Sequence, residues 1–174
     1  LLINGEGLLD LNPIFKYGEY TVRNFMSAVA LPIFENGDAA RAVREFTPLS
    51  ERCTLVKDEG GIKYYSSSID SSPARTATTL SRFSSDVILI LGGRGKGLDL
   101  YPLKDAIYNK VRAVFFYGEC GFQMLSELRE DERLADIYFL YVRDFSECVE
   151  KAANYAKKGD NVLLSPAATS YDCF

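Results

Sequence analysis

Asp86-Val87-Ile88-Leu89-Ile90-Leu91-Gly92-Gly93-Arg94-Gly95-Lys96-Gly97 is an apolar run that empties directly into glycine. Five consecutive aliphatic residues, three of them β-branched, predict a strand buried on both faces. Such strands lie in the middle of parallel sheets, with helices on either side. The glycines after it permit backbone conformations closed to other residues and let a ligand approach the main chain at the strand's carboxyl end, where ligands of open α/β sheets sit. Lys96 stands in that loop as a cation ready for an anion. A glycine-rich turn after a strand is as often only a turn. Neither familiar nucleotide pattern fits the spacing. A dinucleotide motif starting at Gly93 needs glycine where Leu98 stands, and a P-loop ending at Lys96 needs glycine where Ile90 stands.

Working outward, the 174 residues suffice for one full α/β domain and a smaller piece. A composition 47% hydrophobic and 25% charged is that of an ordinary globular protein. No apolar run approaches the roughly 20 residues of a membrane span, and no basic segment with an apolar core opens the chain, so a cytoplasmic protein is expected. The net charge of −4 argues against a nucleic-acid surface. Cys53, Cys120, Cys148 and Cys173 form no C-x-x-C pair and are expected to be reduced packing residues. Histidine is absent altogether, which removes the Ser-His-Asp triad, the Cys-His pair and the H-E-x-x-H zinc helix. No metal ligands are assigned.

The opening to Pro13, broken by Asn4-Gly5 and Gly7, predicts a short hairpin or edge strands, and its start without Met suggests a fragment. Helical spacing predicts helices over 20–34, where Val22, Phe25, Met26, Val29 and Ala30 recur at that spacing, and over 38–46 behind an Asn36-Gly37 turn. Both are expected to pack against a further domain. Thr47-Pro48 is the predicted linker, dividing the chain into 1–47 and 48–174. Strands over 53–57 and 62–67 should form a hairpin around Asp58-Glu59-Gly60-Gly61. Serines then lead to Ser72-Pro73, a helix start, with a helix to about Phe83. After the central strand come predicted helix 102–109, strand 113–117, helix 122–129, strand 137–142, helix 146–157 and strand 161–164. Lys157-Lys158-Gly159 should supply the last helix with its cationic turn and glycine stop. The alternation means βαβ crossovers and a mainly parallel sheet.

Three segments are expected to share one rim: 66–72, 92–97 and 165–171. They carry hydroxyls, glycine and one lysine, donors suited to a small carboxylate ligand without a metal. Serines also cap helices, and Ser72 is expected to do so.

Several ordered pieces resemble the Mur ligase family. They are Gly18-Glu19-Tyr20-Thr21-Val22-Arg23-Asn24, Glu51-Arg52, Tyr64-Tyr65-Ser66-Ser67-Ser68-Ile69-Asp70-Ser71-Ser72-Pro73, Gly92-Gly93-Arg94-Gly95-Lys96-Gly97, and the closing Leu163 to Phe174. The resemblance is to the family's D-glutamate-adding branch, and it covers the tail of the central ATPase domain and nearly all of the Rossmann-like carboxyl-terminal domain. It implies an α/β fold with a mainly parallel sheet flanked by helices. It also implies part of an ATP-dependent amide ligase of peptidoglycan precursor synthesis that joins D-glutamate to UDP-N-acetylmuramoyl-L-alanine through an acyl phosphate, with Mg2+. By position, Lys96, Ser170 and the backbone of Tyr171 resemble the groups that grip the D-glutamate carboxylates, with Ser71 beside them. Arg52 resembles an arginine reaching the nucleotide phosphates, and Asn24 an asparagine near the adenine. These are binding roles; the catalytic machinery and most contacts to ATP and Mg2+ fall to the missing amino-terminal and central domains, so the fragment alone should be inactive. A monomer is expected.

The chain departs from the family where His-Asn is replaced by Tyr20-Thr21, His-Arg by Glu51-Arg52, and Asn-Asp-Ser-Lys by Ser66-Ser67-Ser68-Ile69. A carboxylate stands one place further on, at Asp70. The alternatives are a sibling ligase, either another Mur enzyme or a folylpolyglutamate synthase, and a non-catalytic Rossmann-like module.

Overall fold

The computed structural model of the chain describes residues 2–3, 6–7, 9–29, 36–47, 52–84, 86–95, 97 and 99–169. The chain divides into two compact units, Leu1–Leu49 and Ser50–Phe174. In the first unit, β1 (Leu2–Ile3) pairs antiparallel with β2 (Glu6–Gly7), the short hairpin expected. Helices α1 (Asn12–Phe15), α2 (Glu19–Val29) and α3 (Asn36–Glu45) follow. They close on one another around Leu9, Leu11, Ile14, Val22, Ala39 and Val43, with Phe25 and Val29 half-buried against this small core. Asn36 and Gly37 begin α3 and do not form a turn before it, a correction to the sequence expectation.

The second unit is built on a six-stranded sheet in the order β3-β4-β8-β5-β6-β7. Strands β3 (Thr54–Glu59) and β4 (Ile62–Ser66) form an antiparallel hairpin. Gly60 and Gly61, at φ 63° and 80°, make a two-residue turn tighter than the four-residue one expected. Every other pairing is parallel: β4 with β8 (Asn161–Ala167), β8 with β5 (Val87–Gly92), β5 with β6 (Val111–Tyr117), and β6 with β7 (Tyr138–Tyr141). As its composition predicts, β5 is buried at every residue.

Alternation along β5 separates the two cores. Val87, Leu89 and Leu91 enter one, with Val114 and Phe116 of β6. Ile88 and Ile90 enter the other, with Ala113, Phe115 and Tyr117. Helices α4 (Pro73–Leu80), α5 (Tyr101–Lys110) and α6 (Gly118–Arg129) cover the first face through Leu80, Leu103, Ile107, Met124 and Leu128. Helix α7 (Phe145–Tyr155) covers the second through Cys148 and Ala152. Burying each large aliphatic side chain stabilises the fold by about 1.5–3 kcal/mol.

Several ends differ from the sequence expectation. Helix α4 stops at Leu80, short of Phe83, and α6 begins four residues before Phe122, directly after β6. Helix α7 stops at Tyr155, so Lys157 and Lys158 lie past its end and do not form its last turn. There the Lys157 N–H donates to Asp160 Oδ2 at 2.7 Å, and Arg112 donates to the same oxygen. Strand β8 runs on to Ala167, although proline has no N–H for a ladder. Pro166 is accommodated because the β5–β8 register shifts between Ile90 and Gly92. Ser72 holds the N-cap position of α4 with extended backbone but makes no side-chain capping bond, because Pro73 already removes one of the orphan donors. Among the described residues, no helix is long and apolar enough to cross a membrane.

Cys53, Cys120 and Cys148 are buried free thiols; Cys173 lies outside the described residues. Burial pushes the Cys148 thiol up to about 12, and Asp144 and Glu147 add to the rise. An unfolded thiol ionises near pH ~8.5. Above that value the folded state holds a proton that the unfolded state has lost, so the contribution to stability is whole below it and drains as pH climbs toward 12. Alkylation at pH 8 followed by mass spectrometry should therefore leave Cys148 unmodified until urea unfolds the chain. Rapid modification of the native protein would contradict this burial.

Candidate functional site

Because β4, β8 and β5 are parallel neighbours, their carboxyl ends reach the same rim of the sheet. The segments leaving those ends are stitched together by main-chain hydrogen bonds. The Ser67 N–H donates to Leu164 O at 2.8 Å, and the Ala167 N–H to Asp70 O at 2.8 Å. The Arg94 N–H donates to Thr169 O at 2.7 Å, and Thr169 Oγ1 returns a bond to Arg94 O at 2.6 Å. The described parts of the three segments predicted from sequence to share one rim therefore meet there.

Close approach is the second feature of this rim. Gly92 pairs with Tyr117 at φ 144°, and a Cβ placed on it would meet Tyr117 O at 2.1 Å. A Cβ on Gly118, at φ 71°, would meet Gly93 O at 2.8 Å. The buried Ala167, at φ 60°, is in the left-handed region although it is not glycine. That conformation costs a residue with a side chain about 1–3 kcal/mol and persists where the surroundings over-determine it.

Several hydroxyls of these segments are spent inside the protein. Ser67 is buried, and its Oγ accepts from the Cys53 N–H at 3.2 Å. Ser165 is a strand residue, fully buried; its Oγ lies 2.8 Å from Asp70 Oδ2 and 2.8 Å from Thr76 Oγ1. A hydroxyl has one proton, and the carboxylate is the stronger acceptor, so Asp70 takes it. Thr79 Oγ1 donates to the same carboxylate oxygen at 2.7 Å. Hydrogen bonds to a charged acceptor contribute about 1.5–3 kcal/mol each. Burial pushes the neighbouring Cys53 thiol up; Arg82 opposes the shift and Asp70 adds to it.

Of the six assigned site residues, Ser71 is exposed on the stitched segment after β4. Lys96, Ser170 and Tyr171 lie outside the described residues, although Gly95, Gly97 and Thr169 flank them on the same rim. Arg52 is half-buried ahead of β3. Asn24 is exposed on α2 of the first unit.

A crevice of about 550 Å³ at the carboxyl ends of β5, β6 and β7 was not anticipated. It is lined by Gly93, Arg94, Tyr117 to Glu119, Tyr141 and Arg143 to Ser146. Helix α6 leaves β6 onto one face of the sheet and α7 leaves β7 onto the other, which makes this a topological switch point. Its charges offset one another. Arg94 is paired with Glu119 (Nε to Oε2, 3.0 Å), and Asp144 caps α7 by accepting from the Glu147 N–H at 2.8 Å. Signals for it were present: Gly118-Glu119 follows a β-rich run directly, and Arg143-Asp144 precedes a helix.

Over 163 residues the chain is 34% identical to the UDP-N-acetylmuramoylalanine–D-glutamate ligase of Ruminiclostridium cellulolyticum, a match covering 90% of this chain and 35% of that relative. It is 31% identical along its whole length to the ligase of the same name from Clostridium botulinum strain Hall, covering 39% of it. The chain is similar to these D-glutamate ligases over nearly all of its own length. It thus spans little more than a third of the length of the curated relatives it matches. No family model matches it. Solved structures share the fold at low identity. The Mycobacterium tuberculosis folylpolyglutamate synthase complexed with ADP superposes with a TM-score of 0.63 at 13% identity, over 87% of this chain and 38% of that one. A murein peptide ligase from Psychrobacter arcticus gives 0.61 at 14%, over 87% and 34%. The similarity to Mur ligases and the sheet with its stitched rim agree with the fold that the motifs implied.

Proposed function

We propose that this chain is the carboxyl-terminal, amino-acid-binding part of an ATP-dependent, cytoplasmic and monomeric Mur ligase that adds D-glutamate to UDP-N-acetylmuramoyl-L-alanine. The supporting observation is 30–34% identity to ligases of that activity over 90–100% of the chain. In such a reaction the γ-phosphoryl group of ATP passes to the substrate carboxylate and ADP leaves. The amine of D-glutamate then attacks the acyl carbon, phosphate departs, and the amide remains. This chain's share is to hold the amine in line. Lys96, Ser170 and the N–H of Tyr171 grip the D-glutamate carboxylates, with Ser71 beside them.

For the nucleotide, Arg52 would reach the phosphates and Asn24 the adenine. The chain carries no P-loop, and among its described residues no group of three carboxylates, thiols or imidazoles gathers to hold a metal ion. The donors here suit contact with the edge of a nucleotide, and ATP with Mg2+ belongs mainly to the remainder of the ligase. One fold neighbour was solved with AMPPNP and Mn ion.

The full-length protein should release phosphate from ATP only when UDP-N-acetylmuramoyl-L-alanine and D-glutamate are both supplied. Folylpolyglutamate synthases share the fold, so a panel of amino acids and acceptors belongs in the same assay. Turnover with a different amino acid would replace this reading with a sibling ligase; no turnover with any would leave a binding module.

A further inference from the structure

We infer that Asp70 is the positioning residue of the amino-acid site, clamping the segment that carries Ser71 to the one that leads into Ser170. The inference rests on the proposed reading of the rim and extends it to a residue that touches no ligand. Asp70 is 5% exposed, and its neighbours in the network, Thr76, Thr79 and Ser165, are all buried.

The clamp has two layers. In the main chain, Asp70 O accepts from the Ala167 N–H at 2.8 Å, and Asp70 N–H donates to Ser67 O at 3.0 Å, turning the segment back on itself. In the side chain, one carboxylate oxygen takes Ser165 Oγ from β8 at 2.8 Å and Thr79 Oγ1 from α4 at 2.7 Å. Thr76 completes the group: with the Ser165 proton on its bond to Asp70, Thr76 Oγ1 donates to Ser165 Oγ at 2.8 Å. Strand β8, the segment after β4 and, through Thr79, the last turn of α4 therefore converge on a single buried charge.

The geometry around Ala167 shows what the clamp holds. Ala167 is in the left-handed region at φ 60°, a strained conformation for alanine, and its N–H is the one held by Asp70. Three residues later comes Ser170. The direction in which the chain leaves β8 is thus set at a strained residue whose hydrogen bond comes from Asp70. One residue after Asp70 comes Ser71. Through its main-chain O and its carboxylate together, Asp70 fixes the segment carrying Ser71 against the end of β8.

The test uses the full-length ligase. Asp70→Ala should raise the KM for D-glutamate about ten-fold or more while the KM for ATP changes less than about two-fold. Asp70→Asn keeps an oxygen acceptor for both hydroxyls and should restore most of the D-glutamate KM. Ser165→Ala should raise the same KM by a smaller factor, and the double variant with Asp70→Ala should be no worse than Asp70→Ala alone, because both cut one clamp. Thermal melts run alongside. If Asp70→Ala does not fold, Ser165→Ala and Thr79→Val carry the same readout. A lowered melting temperature with an unchanged D-glutamate KM in these variants would overturn the inference and leave Asp70 a structural residue. Absence of D-glutamate turnover in the unsubstituted protein would instead overturn the functional reading on which the inference rests.

Discussion

Gly92→Ala is expected to destabilise the second unit by more than about 4 kcal/mol, a size reached only by a few mechanisms. Two of them coincide here. The residue sits at φ 144°, where side-chain-bearing residues are strained, and an added Cβ would meet Tyr117 O at 2.1 Å and Tyr117 C and N at 2.8 Å. Those are main-chain atoms of the neighbouring strand, so relief requires parting β5 from β6 in the middle of the sheet. With total stabilities of about 5–15 kcal/mol for a domain, much of the population should unfold. Gly60→Ala is the control. It has φ +63° and open space around its Cβ position, so it should cost only the left-handed penalty of about 1–2 kcal/mol. Urea unfolding of the two variants measures the difference; equal midpoints would show that the pinch between β5 and β6 is soft.

Lys96→Ala, on the proposed reading, should weaken D-glutamate use by about 1.5–3 kcal/mol, the contribution of a charge-assisted hydrogen bond. In the full-length ligase that is a loss of about 10- to 150-fold in kcat/KM for D-glutamate, carried mainly by KM. Stability and ATP saturation should stay near those of the parent, because the hydrogen bonds between Arg94 and Thr169 already tie the start of this loop to the segment after β8. Lys96→Arg should recover only part of the loss, since a planar fork does not reproduce a point charge. Unchanged D-glutamate kinetics would make Lys96 a solvated turn residue and remove the central contact of the proposed site.

The two expected losses differ in how far each could be read from the chain. A strand of Val, Ile and Leu ending in paired glycines announces its burial, so β5 is a local property, whereas the need for a bare backbone at Gly92 comes from its pairing with Tyr117 of β6. The ends of α4, α6 and α7 were less legible. Phe83, Gly118 and Lys157 each fit the neighbouring helical pattern, and whether the last turn forms depends on competing partners. Asp160 is such a competitor, drawing the Lys157 N–H away from helical geometry. Ser165-Pro166-Ala167 reads as a loop because proline interrupts ladders, yet the β5–β8 register shift lets β8 run through it.

The chain's own composition and order determined that strands and helices alternate, that Val87–Gly92 lies inside a parallel sheet, and that segments rich in hydroxyls or glycine follow three of the strands; these depend on burial and spacing within a few residues. Only the tertiary structure decided which hydroxyls remain for a ligand. Ser67, Ser165 and Thr169 look equivalent to Ser71 in sequence, but each has a partner inside the protein, and Ser165 finds its carboxylate 95 positions away at Asp70. Nothing adjacent to a serine records such a partner, because a hydroxyl bonds equally well to a substrate or to a distant buried charge, and folding alone brings that charge within 2.8 Å.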